Sequence, residues 1–183
     1  DDLFQRGGSM RLFADGASHV GGRSHQEDAW FSSVGFKEGT LLLVADGMGG
    51  HRGGAEASRA AVEAARSLPR GGAVDCLQAA PCAVQAGARE SATRGAGTTL
   101  TVVAVEGIGE SSFVAHVAHV GDTRLARVRD GRIEALTHSQ TIPGVLLAAG
   151  QITQDEYETR NDRHELLQYV GQPASIVLKP ETF

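Results

Sequence analysis

Hydrophobic and polar positions follow each other along this chain in blocks that predict strands and helices. Leu41 to Val44 is a short apolar run, long enough for a strand buried on both faces. Between Ala55 and Leu68, small apolar residues recur at the spacing of one helix face, and a second such pattern runs from Leu77 to about Thr93. These two segments predict an antiparallel helix pair on one face of a sheet.

The later part of the chain changes character and predicts mainly strands. Gly97–Val105 and Ser111–Val120 alternate and are rich in β-branched residues, as strands are. Asp130–Gly131 lies between two short alternating runs and predicts a β-hairpin over 125–136. Thr153–Glu156 has the sequence of a capping box and predicts a short helix. Together the blocks predict a single α+β domain.

Length, composition and charge limit the possible classes of protein. The chain has 183 residues, 41% of them hydrophobic, and a formal net charge of −5. It therefore lacks the basic surface of a nucleic-acid-binding protein, and no apolar run approaches the roughly 20 residues of a membrane span. We interpret Cys76 and Cys82 as reduced thiols and expect a cytoplasmic protein. Residues 1–9 resemble an expression-tag remnant, which leaves 10–183 as the domain.

The candidate chemistry centres on Asp46, which ends the apolar run and precedes a glycine-rich stretch over 47–54. Glycine tolerates positive φ and lets a ligand approach the backbone closely. Three interpretations are open: a strand-to-helix turn without a ligand, a phosphate-binding loop, or a hard-metal site. In the last, the Asp46 carboxylate and the Gly47 carbonyl would be ligands of Mg²⁺ or Mn²⁺. No Lys-Ser/Thr pair follows the glycines, so the P-loop pattern fails.

A second acidic segment, Glu27–Asp28, comes directly before Trp30 and an apolar run. Neighbours in an extended chain point to opposite faces, so these two carboxylates cannot simply bind the same ion. One of them could face an ion or its waters while the other supports it from behind. The alternative is an exposed acidic pair at the start of a strand.

Four motifs occur in a fixed order along the chain: Arg23-x-x-x-Glu27-Asp28-Ala29, Ala45-Asp46-Gly47-Met48-Gly49-Gly50-His51, Gly97-Thr98-Thr99 and His119-Val120-Gly121-Asp122-Thr123-Arg124. In this order they resemble the metal-dependent Ser/Thr protein phosphatases of the protein phosphatase 2C (PPM) family, in their compact bacterial form. The resemblance covers roughly residues 12–180. It implies a β-sandwich flanked by antiparallel helix pairs, and hydrolysis of phosphoserine and phosphothreonine on proteins by a metal-activated water.

The resemblance also implies a set of metal ligands. Asp46 would bridge two Mn²⁺ or Mg²⁺ ions, and the Gly47 carbonyl would bind one of them. Glu27 and Asp28 would lie in or just behind the ligand shell and hold waters. Asp122 matches the position that binds a third, more weakly held ion. The family therefore implies two such cofactor ions and allows a third.

Substrate binding is the other property that the resemblance implies. Arg23 would bind the phosphate, since a planar guanidinium matches its oxygens better than a lysine does. The segment 137–161 matches the flap subdomain beside the site. The expected partners are phosphoprotein substrates and a Ser/Thr kinase or its targets, without nucleic acid or membrane.

The main departure from the family pattern lies at the C-terminal end. The family resemblance implies two further aspartates near the C-terminal end of the domain, one in an Asp-Gly motif and one in an Asp-Asn motif. This sequence ends at Phe183 without them. We therefore expect an incomplete domain. A truncated or inactive phosphatase-like domain that binds a partner without turnover is the alternative, and a nucleotide-binding α/β domain is a third hypothesis.

Overall fold

The computed structural model describes residues 12–35, 39–48, 52–67, 96–108, 112–173, 176 and 181–183. Its elements, in chain order, are β1 (Asp28–Gly35), β2 (Gly39–Met48), α1 (Arg52–Arg66), β3 (Gly97–Thr98), β4 (Leu100–Ile108), β5 (Ser112–Val120), β6 (Ala126–Arg129), β7 (Arg132–Ala135), α2 (Ile142–Ala148), α3 (Gln154–Thr159) and β8 (Glu181–Thr182). The fold is α+β, as the pattern predicts. Among the described helices, none is long and apolar enough to cross a membrane.

An antiparallel sheet forms the centre of the fold. Its strand order is β1-β2-β4-β5-β8, and the short strand β3 pairs with the end of β2. The β1–β2 register places Asp28 opposite Asp46, and β4 pairs with β5 along its whole length. Strand β2 therefore has a neighbour on each side, and the residues at its end are held from both.

Helix α1 packs on one face of this sheet. Ala61 and Ala65 of the helix are buried together with Leu43, Val102 and Ala118 of the strands. Small side chains let the helix axis come close to the sheet. The helix predicted over 55–68 is confirmed, although it begins at Arg52 and ends at Arg66.

The prediction that β2 is buried on both faces is wrong. Its side chains alternate: Leu43 and Ala45 are buried, whereas Val44 is 43% exposed. Trp30, opposite Val44 in β1, is 38% exposed. The reason is that α1 covers one face, and no described element covers the other to the same extent.

Two locally encoded features are confirmed. Asp130 and Gly131 have φ of 51° and 72°, the left-handed values of a two-residue hairpin turn between β6 and β7. In α3, the side chain of Thr153 accepts the N–H of Glu156 and the Glu156 carboxylate accepts the N–H of Thr153, which is a capping box.

Other sequence predictions differ or fall elsewhere. Strand β4 continues to Ile108, beyond the strand pattern that ends at Val105, because its last residues pair with the start of β5 at Ser112. Residues 12–20 have no regular secondary structure. The predicted helix over 77–93, both cysteines and residues 1–9 lie outside the described residues.

Candidate active site

A cleft of about 860 Å³ runs along the sheet from Ser32, Leu42 and Val103 to the edge where β1 begins and where β2 and β5 end. Five acidic residues line it, and among them are Asp28, Asp46 and Asp122; the other two are Asp15 and Glu158. The structure thus brings together three of the residues that the sequence singles out, from segments far apart in the chain.

Strand register explains why two of these carboxylates are neighbours. Asp28 and Asp46 are directly opposite each other in the β1–β2 pair. Side chains of opposed residues project from the same face, with Cβ atoms about 5 Å apart. Asp122 arrives differently, because it follows β5 and Gly121, which has a φ of +107°.

The carboxylates disturb one another electrostatically. The Asp46 side chain keeps access to the cleft, but the protein around it removes part of its hydration, and this partial burial contributes most to raising its pKa to about 6. The charge of Asp28, a hydrogen bond with it and the charge of Asp122 raise the pKa further, while the charge of Arg23 lowers it. A bound cation would relieve this repulsion.

The donor set fits one kind of metal better than another. In the part of the chain that the structure describes, no group of three or more His, Cys, Asp or Glu side chains could hold an ion by itself. A structural zinc site needs a closed set of protein ligands. Mg²⁺ and Mn²⁺ prefer oxygen, and Mg²⁺ usually keeps several waters and takes only one or two carboxylates. The Asp28–Asp46 pair fits that description.

Glu27 occupies a different place from Asp28. Its carboxylate does not line the cleft but accepts a hydrogen bond of 3.1 Å from Nη1 of Arg23. Its carbonyl oxygen accepts the N–H of Gly47 at 3.1 Å and the hydroxyl of Ser58. Glu27 therefore supports the end of β2 through its backbone, while its side chain holds Arg23. The Arg23 side chain is 66% exposed and so accessible to a ligand.

Gly47 lies where no side chain fits. A Cβ built on it would come within 2.1 Å of the Gly54 carbonyl oxygen and 2.6 Å of the Glu27 carbonyl oxygen. The end of β2 therefore packs directly against the backbone of α1 and of the segment before β1. This packing, and not a positive φ, is what requires glycine here.

Sequence reasoning assigned no role to the threonines that hold the backbone of Asp46. The Asp46 N–H donates to Oγ1 of Thr99 at 2.9 Å, and the Asp46 carbonyl accepts the Thr99 N–H at 2.9 Å. The hydroxyl of Thr98 donates to the same carbonyl at 2.9 Å. Both threonines are buried. The Gly97-Thr98-Thr99 motif marked them, but only the structure shows what they contact.

The two histidines of β5 bond hydroxyl groups of neighbouring strands. Nδ1 of His119 bonds the Thr101 hydroxyl at 2.9 Å, and burial lowers the pKa of His119, which keeps the ring neutral. Nδ1 of His116 lies 3.1 Å from the hydroxyl of Thr182 on β8.

Basic and aromatic side chains form much of the remaining wall of the cleft. They are His19, Trp30, Phe31, Arg124, Tyr157, Arg163 and His164. Asp15 and Glu158 also line the cleft, so acidic and basic groups are mixed there, and Arg124 and Arg163 are guanidinium groups that an anionic ligand could contact.

Comparison with known proteins gives the family context. A family profile described as "Protein phosphatase 2C" matches residues 15–146. A putative protein phosphatase 2C-type of Streptococcus pyogenes is 31% identical over 166 residues, which is 84% of this chain and 65% of that protein. The serine/threonine protein phosphatase PstP of Mycobacterium tuberculosis is 32% identical over 155 residues, 77% of this chain and 27% of that protein. The chain thus spans less than two thirds of these relatives.

Solved structures share the fold. The serine/threonine phosphatase of S. agalactiae superposes with a TM-score of 0.76 at 27% identity, covering 88% of this chain and 69% of that one. The catalytic domain of PstP in complex with two manganese ions has a TM-score of 0.65 at 28% identity, covering 88% of this chain and 66% of that one. With a profile match over most of its length and this fold, the chain belongs to the protein phosphatase 2C family.

Proposed function

We propose that this chain carries the active site of a metal-dependent protein phosphatase that hydrolyses phosphoserine and phosphothreonine. The observation that supports it is the meeting of Asp28, Asp46 and Asp122 in one cleft, with the pKa of Asp46 raised to about 6. Membership of the protein phosphatase 2C family supplies the reaction class.

Mn²⁺ or Mg²⁺ is the proposed cofactor. Asp46 and the Gly47 carbonyl would hold two ions, with Asp28 beside them, Glu27 behind them and Asp122 at a third position. When bound, such ions supply a nucleophilic water at neutral pH and offset the charge of the phosphate. The PstP structure with two manganese ions supports this choice of metal and number.

The residues of the chain bind and orient the phosphate. The Arg23 guanidinium, largely exposed and held by Glu27, can form paired hydrogen bonds to two phosphate oxygens. Met48, next to Gly47, has no proton to donate, so the leaving alkoxide takes its proton from water or from another group. Tyr157 of α3 and Arg163 line the cleft from the proposed flap, 137–161, and from just beyond it, where they can contact the substrate chain.

The partners follow from this reaction. A phosphoprotein is the substrate. It is either a Ser/Thr kinase that carries phosphate itself or a protein that such a kinase phosphorylates. Relatives named as protein phosphatases support a phosphoprotein substrate. The kinase and the cytoplasmic location remain predictions from the sequence.

A phosphothreonine peptide tests the proposal directly. We expect phosphate release with Mn²⁺ and none with EDTA. Asp46→Asn should lower the rate of phosphate release by more than about 100-fold, because a residue that binds the metal directly matters at least as much as the groups that orient it. Asp130→Asn in the β6–β7 turn removes an equal charge away from the cleft and should keep wild-type activity. Hydrolysis in EDTA, or by Asp46→Asn, would refute the metal mechanism. Peptide binding without phosphate release would instead support the non-catalytic alternative.

A further inference from the structure

We propose that the hydroxyl groups of Thr99 and Thr123 form a positioning bridge that sets the distance between Asp46 and Asp122. The inference rests on the proposed function, because this distance matters only if both carboxylates serve one metal centre. The residues of the bridge touch neither the ions nor the phosphate in this proposal, and they act through the two aspartates.

The bridge consists of short contacts among buried and half-buried groups. Oγ1 of Thr99 lies 2.7 Å from Oγ1 of Thr123. The same Thr99 oxygen accepts the N–H of Asp46 at 2.9 Å, and the Thr99 N–H donates to the Asp46 carbonyl at 2.9 Å. Thr99 is 2% exposed. One side chain thus joins the backbone of Asp46 to the residue that follows Asp122.

A second contact joins Thr99 to the same loop. Gly121, directly before Asp122, has a φ of +107°, and a Cβ built there would lie 2.5 Å from Cγ2 of Thr99. The loop therefore packs against the Thr99 methyl group as well as bonding its hydroxyl. On the other side, Gln140 accepts the Gly121 N–H through Oε1 at 3.0 Å and donates its own N–H to the Gly121 carbonyl at 2.8 Å.

Sheet topology explains why such a bridge is needed. Asp28 and Asp46 are paired directly in the register of β1 and β2. Asp122 follows β5, and β4 lies between β5 and β2 in the sheet. Backbone pairing alone therefore does not set the distance from Asp46 to Asp122. Thr99, between β3 and β4, is the residue that spans this gap.

Metal affinity, measured without substrate, tests the bridge. We expect Thr99→Val and Thr123→Val each to weaken Mn²⁺ binding by about 10-fold in a calorimetric titration. The reason is that removal of a group that orients a metal ligand typically lowers metal affinity by that much. Thr99→Ser and Thr123→Ser keep the hydroxyls and should bind within about twofold of wild type. The double valine variant should be no worse than Thr99→Val alone, since that change already removes the contact between the two hydroxyls, together with the acceptor of the Asp46 N–H.

Thr141→Val is the matched control. Thr141 is also fully buried, and its hydroxyl accepts the N–H of Gly144, but it lies at the start of α2. This variant should lower the midpoint of urea unfolding and leave Mn²⁺ affinity unchanged. If Thr99→Val does not fold, Thr123→Val, at a half-buried position, carries the test.

The possible outcomes separate the two proposals. Mn²⁺ affinity near wild type in both valine variants, or additive losses in the double variant, overturns the bridge while the phosphatase proposal stands. Wild-type protein that binds no Mn²⁺ overturns both. Weak binding in the valine variants, restored by serine, supports the bridge.

Discussion

The end of the sheet around Asp46 and the β6–β7 hairpin are both antiparallel, but different interactions hold them. Around Asp46, backbone groups bond Thr98 and Thr99, which lie far away in the chain. In the hairpin, Val128 and Ile133 face each other across the two strands and are 70% and 78% exposed. The hairpin depends on its own turn, whereas the acidic end depends on distant segments.

Charge is distributed differently in the two regions as well. The hairpin places Arg129 opposite Arg132 at its turn, where water screens the repulsion between them. At the acidic end, partial burial and neighbouring carboxylates raise the pKa of Asp46 to about 6. Like charges at the surface repel each other weakly, because water screens them. In a cleft the repulsion is stronger, so the surrounding structure must hold the charges in place and a bound cation would offset them.

The largest expected effect comes from a matched pair of glycine substitutions. Gly47→Ala should destabilise the protein by about 3 kcal/mol or more, because the new methyl group would overlap two backbone carbonyl oxygens. Gly131→Ala should cost only about 1 kcal/mol, since its φ of +72° is strained for alanine but nothing lies within 4 Å. Urea unfolding measures both, and equal losses would contradict the comparison.

Removal of one carboxylate should have a smaller effect of the opposite sign. In EDTA, Asp46→Asn should stabilise the fold by about 1 kcal/mol, a value reduced for solvent screening, because it relieves the repulsion that raises the pKa of Asp46. Mn²⁺ should raise the melting temperature of wild type but not of the variant, since only a ligand that binds the native state stabilises it. Asp130→Asn is the control and should behave as wild type in both buffers. If Asp46→Asn is less stable than wild type in EDTA, the Asp46 carboxylate stabilises the fold and the prediction is wrong.

The smallest effect is expected at the surface of the hairpin. Arg127 and Glu134 form an ion pair whose side chains are 35% and 56% exposed. Glu134→Gln should change the free energy of unfolding by less than about 0.5 kcal/mol, because exposed ion pairs contribute little. A double-mutant cycle with Arg127→Gln measures the coupling. A coupling above about 1 kcal/mol would mean that the hairpin is held more tightly than its exposure indicates.

The sequence by itself determined the features that depend on neighbouring residues. The apolar run of β2, the alanine face of α1, the Asp130–Gly131 turn and the capping box at Thr153 are local patterns, and the structure contains each of them. The ordered motifs also identified the family and pointed to Asp28, Asp46 and Asp122.

Only the tertiary structure decided how the acidic end is held. It bonded the Glu27 carbonyl to the Gly47 N–H, left no room for a side chain at Gly47, and joined Thr99 to Thr123. These contacts depend on where the ends of separate strands meet, and that position follows from the packing of the whole sheet. A pattern of neighbouring residues carries no information about it, because the groups that meet are distant in the chain.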